Sequence, residues 1–169
     1  SIRINARSSK NTIYDISCCG TDNNNKCLDE CYFIFYNQTT SPKSAILLKE
    51  YNENSATFDI NLKNLPSNIK KLIFTITIDG DGIMSEVING NVTVLYNHKV
   101  IARFDFIGSD FDKEKSLMIA EVYLKTEWRL GVVGQGFNGG LSDLLKYFGI
   151  EEAQNENPTD SSMVDKSLQ

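Results

Sequence analysis

Oxygen-bearing side chains recur at or beside the turns of this chain: Asp15, Asp22 to Asn25, Asn37, Glu50 to Asn54, and Asp79 with Asp81. Calcium takes six to eight oxygens from carboxylates, amides and carbonyls, and loops gathered at one end of a β-structure can supply them. The competing reading is plain solvated surface, which is what acidic loops usually are. Asp79-Gly80-Asp81-Gly82 shares the opening of an EF-hand loop. No flanking helices are legible, and Glu86 falls too early to be the terminal bidentate ligand, so that motif is rejected.

Nothing in the chain spells a catalytic machine. The single histidine, His98, sits in Asn97-His98-Lys99, a hairpin tip where it reads as a solvated turn residue. There is no nucleophile elbow, P-loop or zinc-protease helix. The acid pairs Asp79/Asp81, Asp110/Asp112 and Glu151/Glu152 lie in turns or tail. A carboxylate pair that meets only in space escapes such a reading. The expectation is a protein that is not an enzyme.

Gly134-Gln135-Gly136-Phe137-Asn138-Gly139 matches G-x-G-x-x-G. A dinucleotide site also needs a strand after the helix and an acid about 20 residues on. Here Glu151 and Glu152 come too early and the chain runs into a polar segment. The glycines are therefore expected to turn a strand sharply and bring a helix against a sheet.

Cys18, Cys19, Cys27 and Cys31 crowd into one region. Their spacing lacks the paired knuckles of structural zinc modules. If residues 22–27 form a hairpin turn, Cys18 and Cys31 fall roughly opposite each other and a cross-strand disulfide is conceivable. The expectation is four reduced thiols serving as small hydrophobic residues of a cytosolic protein.

Around these residues the chain reads mostly as strand. Extended runs are legible over Ser1 to Asn5, Ile13 to Cys19, Ala45 to Lys49, Ala56 to Leu62, Leu72 to Ile78, Asn91 to Tyr96, Val100 to Phe106, Leu117 to Leu124 and Trp128 to Val133. Cys31 to Tyr36, with aromatic residues on both faces, is expected to be a central strand. Leu141 to Phe148 repeats apolar residues at i, i+3, i+4 and i+7, one helix face, and Gly149 caps it. The expected fold is mainly β: a β-sandwich of two antiparallel sheets with one short C-terminal helix. Residues 1–150 would form this domain, and 151–169 a polar tail.

A chain of 169 residues with 41% hydrophobic and 23% charged content suits one such domain. A net charge of −5 and pI near 4.9 argue against a nucleic-acid or anionic-membrane partner. No apolar run reaches the ~20 residues of a spanning helix. Ser1 to Ser9, polar with two arginines, does not read as a secretory leader.

Several stretches together resemble the TerD family of tellurium-resistance and stress-response domains. They are Asp15-Ile16-Ser17, Phe33 to Gln38 followed by Ser41-Pro42, Leu62-x-x-Leu65-Pro66, Ile73 to Ile78 and Ile101 to Phe106. Glu121-Val122-Tyr123, Trp128-Arg129 and Val133 to Leu141 complete the set, in order, over residues 13–150. The resemblance implies a non-enzymatic cytoplasmic sandwich that binds calcium through acidic loops and works with other proteins of a stress response. It also carries a cyclic-nucleotide-binding alternative. Asp15 and Asn37 match family positions; Asp22, Glu50, Asp79 and Asp81 are nearby oxygen donors. The family's Asp-x-Asp-x-Ser has Ile13 in its first place, and the acidic loop shrinks to Lys49 to Ser55. Fewer carboxylates mean weaker calcium binding. A sandwich kept for protein interaction after losing its metal sites is the competing expectation.

Overall fold

Alternation along each strand decides which face is buried, and in this chain it builds two packed sheets. A computed structural model describes residues 1–152; the expected tail lies almost wholly outside them. The first antiparallel sheet has the order β4 (Ile46–Asn52), β5 (Ser55–Ile60), β1 (Ile2–Ser8), β7 (Val87–Tyr96) and β8 (Lys99–Phe106). The second has the order β10 (Trp128–Phe137), β9 (Ser116–Leu124), β6 (Lys71–Asp79), β2 (Ile13–Thr21) and β3 (Phe33–Ile34). One helix, α1 (Leu141–Phe148), follows. Among the described residues no helix is long and apolar enough to cross a membrane.

The inner faces meet in one core. Ile4, Phe58 and Val92 from the first sheet pack with Ile16, Phe74 and Leu117 from the second. The rings of Phe58 and Phe74 cross between the sheets edge to face, with centroids 5.6 Å apart. A smaller outer core forms where α1 lies on the far side of the second sheet, joining Leu144 and Phe148 to Cys19, Ile73 and Met118. This cover accounts for the apolar Ile73 on the outer face of β6; all seven residues from Leu72 to Ile78 are buried, the outer-facing Thr75 and Thr77 included.

The C-terminal end of α1 is tightly held. Gly149 adopts the left-handed conformation (φ 73°) and closes the helix. The Cys27 amide donates to the Phe148 carbonyl (2.9 Å), and Lys26 Nζ donates to the Tyr147 carbonyl (2.6 Å). A cation at a helix C-terminus also meets the negative end of the helix dipole.

Three sequence expectations are corrected. Cys31 to Tyr36 is not a central strand: β3 is two residues long and lies at a sheet edge. Its apolar residues face two ways because Ile34 enters the inner core while Phe33 meets the outer one. Strand β10 runs on to Phe137 instead of ending at Val133, so Gly134 and Gly136 lie in an edge strand, with a register shift between Val132 and Gln135. The turn comes at Gly140, φ 67°. Finally, Cys18 pairs in register with Ile34, not Cys31, and all four cysteines are free.

Candidate binding cleft

Strand β2 presents Ile13, Asp15, Ser17 and Cys19 on the outer face of the second sheet, because alternate residues share a face. Across the β2–β6 ladder these oppose Asp79, Thr77, Thr75 and Ile73. The Cys19 end is roofed by α1. The Asp15 end is not, and there a cleft of about 450 Å³ opens.

Its floor is polar: Asp15, Ser17 and Thr77. The Ser17 and Thr75 hydroxyls hydrogen-bond to each other. Ser116, opposite Thr77 on β9, is wholly buried and its hydroxyl has no partner among the described residues. One wall is aromatic. Phe33 and Phe35 have centroids 5.4 Å apart, and Tyr36 meets Phe35 edge-on at 5.4 Å. A tight turn holds this wall: Phe35 and Gln38 exchange backbone hydrogen bonds of 3.1 and 3.0 Å. The Gln38 side-chain amide donates to the carbonyls of Glu30 (2.7 Å) and Phe33 (2.8 Å). The other wall is Leu141, Leu145 and Ile150.

The cleft is acidic. Asp15, Glu30, Glu151 and Glu152 line it, and no lysine or arginine does among the described residues. Burial first, and the nearby Asp79 charge second, raise the Asp15 carboxyl above its ordinary range. Asp15 has no ion pair among the described residues.

Of the six expected oxygen donors, only Asp15 lines this cleft. Asp79 stands diagonal to it on the same face, exposed at the end of β6. Asn37 is exposed at the corner of the wall turn, between the lining residues Tyr36 and Gln38. Asp22 is engaged elsewhere: its Oδ1 accepts from the amides of Asn24 (2.8 Å) and Lys26 (2.9 Å). Glu50 belongs to the other sheet, in a hollow shared with Arg3, Lys49 and Asp59. Asp81 is exposed in the Gly80–Gly82 turn. Among the described residues no three His, Cys, Asp or Glu side chains converge to hold a metal ion. The donor set does not fit a closed calcium shell of six or more oxygens.

Sequence reading missed most of the walls. Glu30, Phe33 and Phe35 come from one segment and Leu145 from another far along the chain, and only the fold joins them. Glu151 and Glu152 were legible as an acid pair but not as part of a site.

The TerD domain family model matches residues 1–148. A chemical-damaging agent resistance protein B of Clostridium acetobutylicum is 33% identical over 131 residues, covering 70% of this chain and 94% of that protein. The tellurium resistance protein TerD of Serratia marcescens is 28% identical over 145 residues, covering 75% of this chain and 72% of that one. Among solved structures, a homologue of a telluride resistance protein from Streptomyces coelicolor A3(2) superposes with a TM-score of 0.60. It is 15% identical and covers 85% of this chain and 93% of that chain; at that identity the likeness carries the fold alone.

Proposed function

The chain belongs to the TerD family, and from that premise we propose that it is a non-enzymatic, tellurium-resistance-type stress-response protein that binds a cation through Asp15. One observation carries the reading: a half-buried carboxylate with no counter-ion among the described residues, repelled by Asp79, on the floor of an acidic cleft. A positive charge there would relieve both the burial and the repulsion.

Calcium is the cation that the family resemblance suggests. With Asp15 and Asp79 as its nearest carboxylates, and Asn37 at the mouth, the site would be open and weak, since calcium affinity follows ligand charge and rigidity. A cytoplasmic setting belongs to the same proposal, and the four free thiols are in keeping with it.

A second reading, a sandwich kept for protein partners, is favoured by the edge strand β8, where Val100 and Ile101 are 59% and 64% exposed. An unpaired strand edge is a ready template for another chain. The cyclic-nucleotide alternative draws no support from a cleft lined by four carboxylates, which would repel a phosphate.

Calorimetric titration of calcium into reduced, chelator-stripped protein tests the proposal, with Asp15→Asn as the control. The expected result is saturable binding near or below about 1 mM that the substitution removes, with a matching rise in Tm for the native chain. No heat and no thermal shift at about 10 mM calcium would retire calcium and leave the partner reading.

A further inference from the structure

We infer that the Asp15 cleft takes an organic primary ammonium ion carrying an apolar body, in preference to a bare metal ion. The inference rests on the cation reading above and specifies its ligand.

Size is the first argument. The cleft holds about 450 Å³, within the roughly 300–1,000 Å³ of small-molecule sites. A bare ion needs protein oxygens at about 2.3–2.6 Å on several sides, and the described residues bring no three His, Cys, Asp or Glu side chains together to hold one. The cavity is built for something larger.

The walls give the second argument. A hydrated metal ion gains nothing from apolar surface, yet both sides of the cleft are apolar. Phe33, Phe35 and Tyr36 form a contiguous aromatic wall, and Leu141, 46% exposed, lies with Leu145 and Ile150 on the other side. Aromatic faces attract cations, more strongly where water is excluded. The hydrocarbon part of a ligand would cover apolar surface that is otherwise wet.

The floor sets the charge and the polar head. Asp15 is the carboxylate at the base, with the Thr77 hydroxyl opposite it in the ladder. The Ser17 hydroxyl lies beside them in the same lining. An ammonium group donates three hydrogen bonds and accepts none, which matches a floor of carboxylate and hydroxyl oxygens. Glu30, Glu151 and Glu152 at the same cleft add negative charge that would draw a cation in. The ammonium could belong to a free amine or to a lysine side chain of a partner; the chemistry recognised is the same.

The test is calorimetry on the full chain with four probes. These are phenethylammonium chloride, phenethyl alcohol as its uncharged counterpart, an acetylated and amidated lysine peptide, and calcium chloride. Phenethylammonium is expected to bind about tenfold or more tighter than the alcohol. Asp15→Asn and Phe35→Ala should each weaken it by about tenfold. Tyr36→Ala, at a half-exposed position, replaces Phe35→Ala if that variant does not fold. Tighter binding of the peptide than of phenethylammonium would assign the site to a lysine side chain, and the reverse to a free amine. Equal binding of amine and alcohol, or amine binding indifferent to Asp15→Asn, overturns the inference. Calcium binding without amine binding overturns it while sparing the cation reading. Binding of neither cation defeats both.

Discussion

Asp15 and Asp79 lie on one diagonal of the β2–β6 ladder, on the outer face of the second sheet, with Thr77 opposite Asp15 and Ile13 opposite Asp79. Burial and this like charge raise the Asp15 carboxyl above its ordinary range. A carboxyl whose pKa is raised on folding binds more protons in the native than in the unfolded state across the interval between the two values. Its contribution to stability is therefore lost as pH rises through that interval and is unfavourable above it. Asp15→Asn should raise stability at neutral pH and change it little below the carboxylate range. Urea unfolding of both proteins at the two pH values checks this; a destabilised variant at neutral pH contradicts it.

The thiols should separate by reactivity. Cys18 and Cys19 are fully buried and burial pushes both thiols up, whereas a hydrogen bond from Cys19 lowers the half-buried Cys27. Asp29 holds the exposed Cys31 above the ordinary thiol range. Because the thiolate is the reactive form, iodoacetamide should label Cys27 at lower pH than Cys31. Cys18 and Cys19 should stay unlabelled until the chain unfolds. Peptide mass mapping of labelled native protein reads the order.

The helix cap should be costly to alter. Gly149 sits at φ 73° with its amide donating to carbonyls of the last turn. A side chain there meets the left-handed penalty, so Gly149→Ala should cost about 1 kcal/mol. A lower urea midpoint with an unchanged slope would show lost stability without a change in the compactness of either state.

Phe148 is wholly buried in the outer core. Phe148→Ala should cost about 3–5 kcal/mol. The same variant should weaken cleft binding, because α1 also carries the wall residues Leu141 and Leu145. Thermal unfolding and an amine titration on the variant measure both effects.

Much of this fold can be read from the chain because its cause is local. The alternation of Leu72 to Ile78 and the four-residue apolar face of α1 need no tertiary information. Misreadings arise where cover comes from afar. The aromatic run at Cys31 to Tyr36 looks central because both its faces are apolar, yet an edge strand gains two-sided cover when a helix lies across its sheet. The site divides the same way. Asp15 is legible from its place in a strand motif, while Glu30 and Phe35 face Leu145 across the cleft only after two segments far apart in sequence meet. Asp22 shows the converse, since an aspartate in a polar turn serves its own backbone amides.

Residue-resolved NMR tests most directly whether a cation binds at the Asp15 cleft. Amide spectra would be recorded while calcium chloride and phenethylammonium chloride are added in turn to reduced protein. The account predicts that at least one of them shifts the amides of Asp15, Ser17, Thr77 and the Phe33–Gln38 turn, and that Asp15→Asn abolishes those shifts. Shifts confined to the Glu50 and Asp59 hollow on the other sheet, or none with either cation, would contradict it.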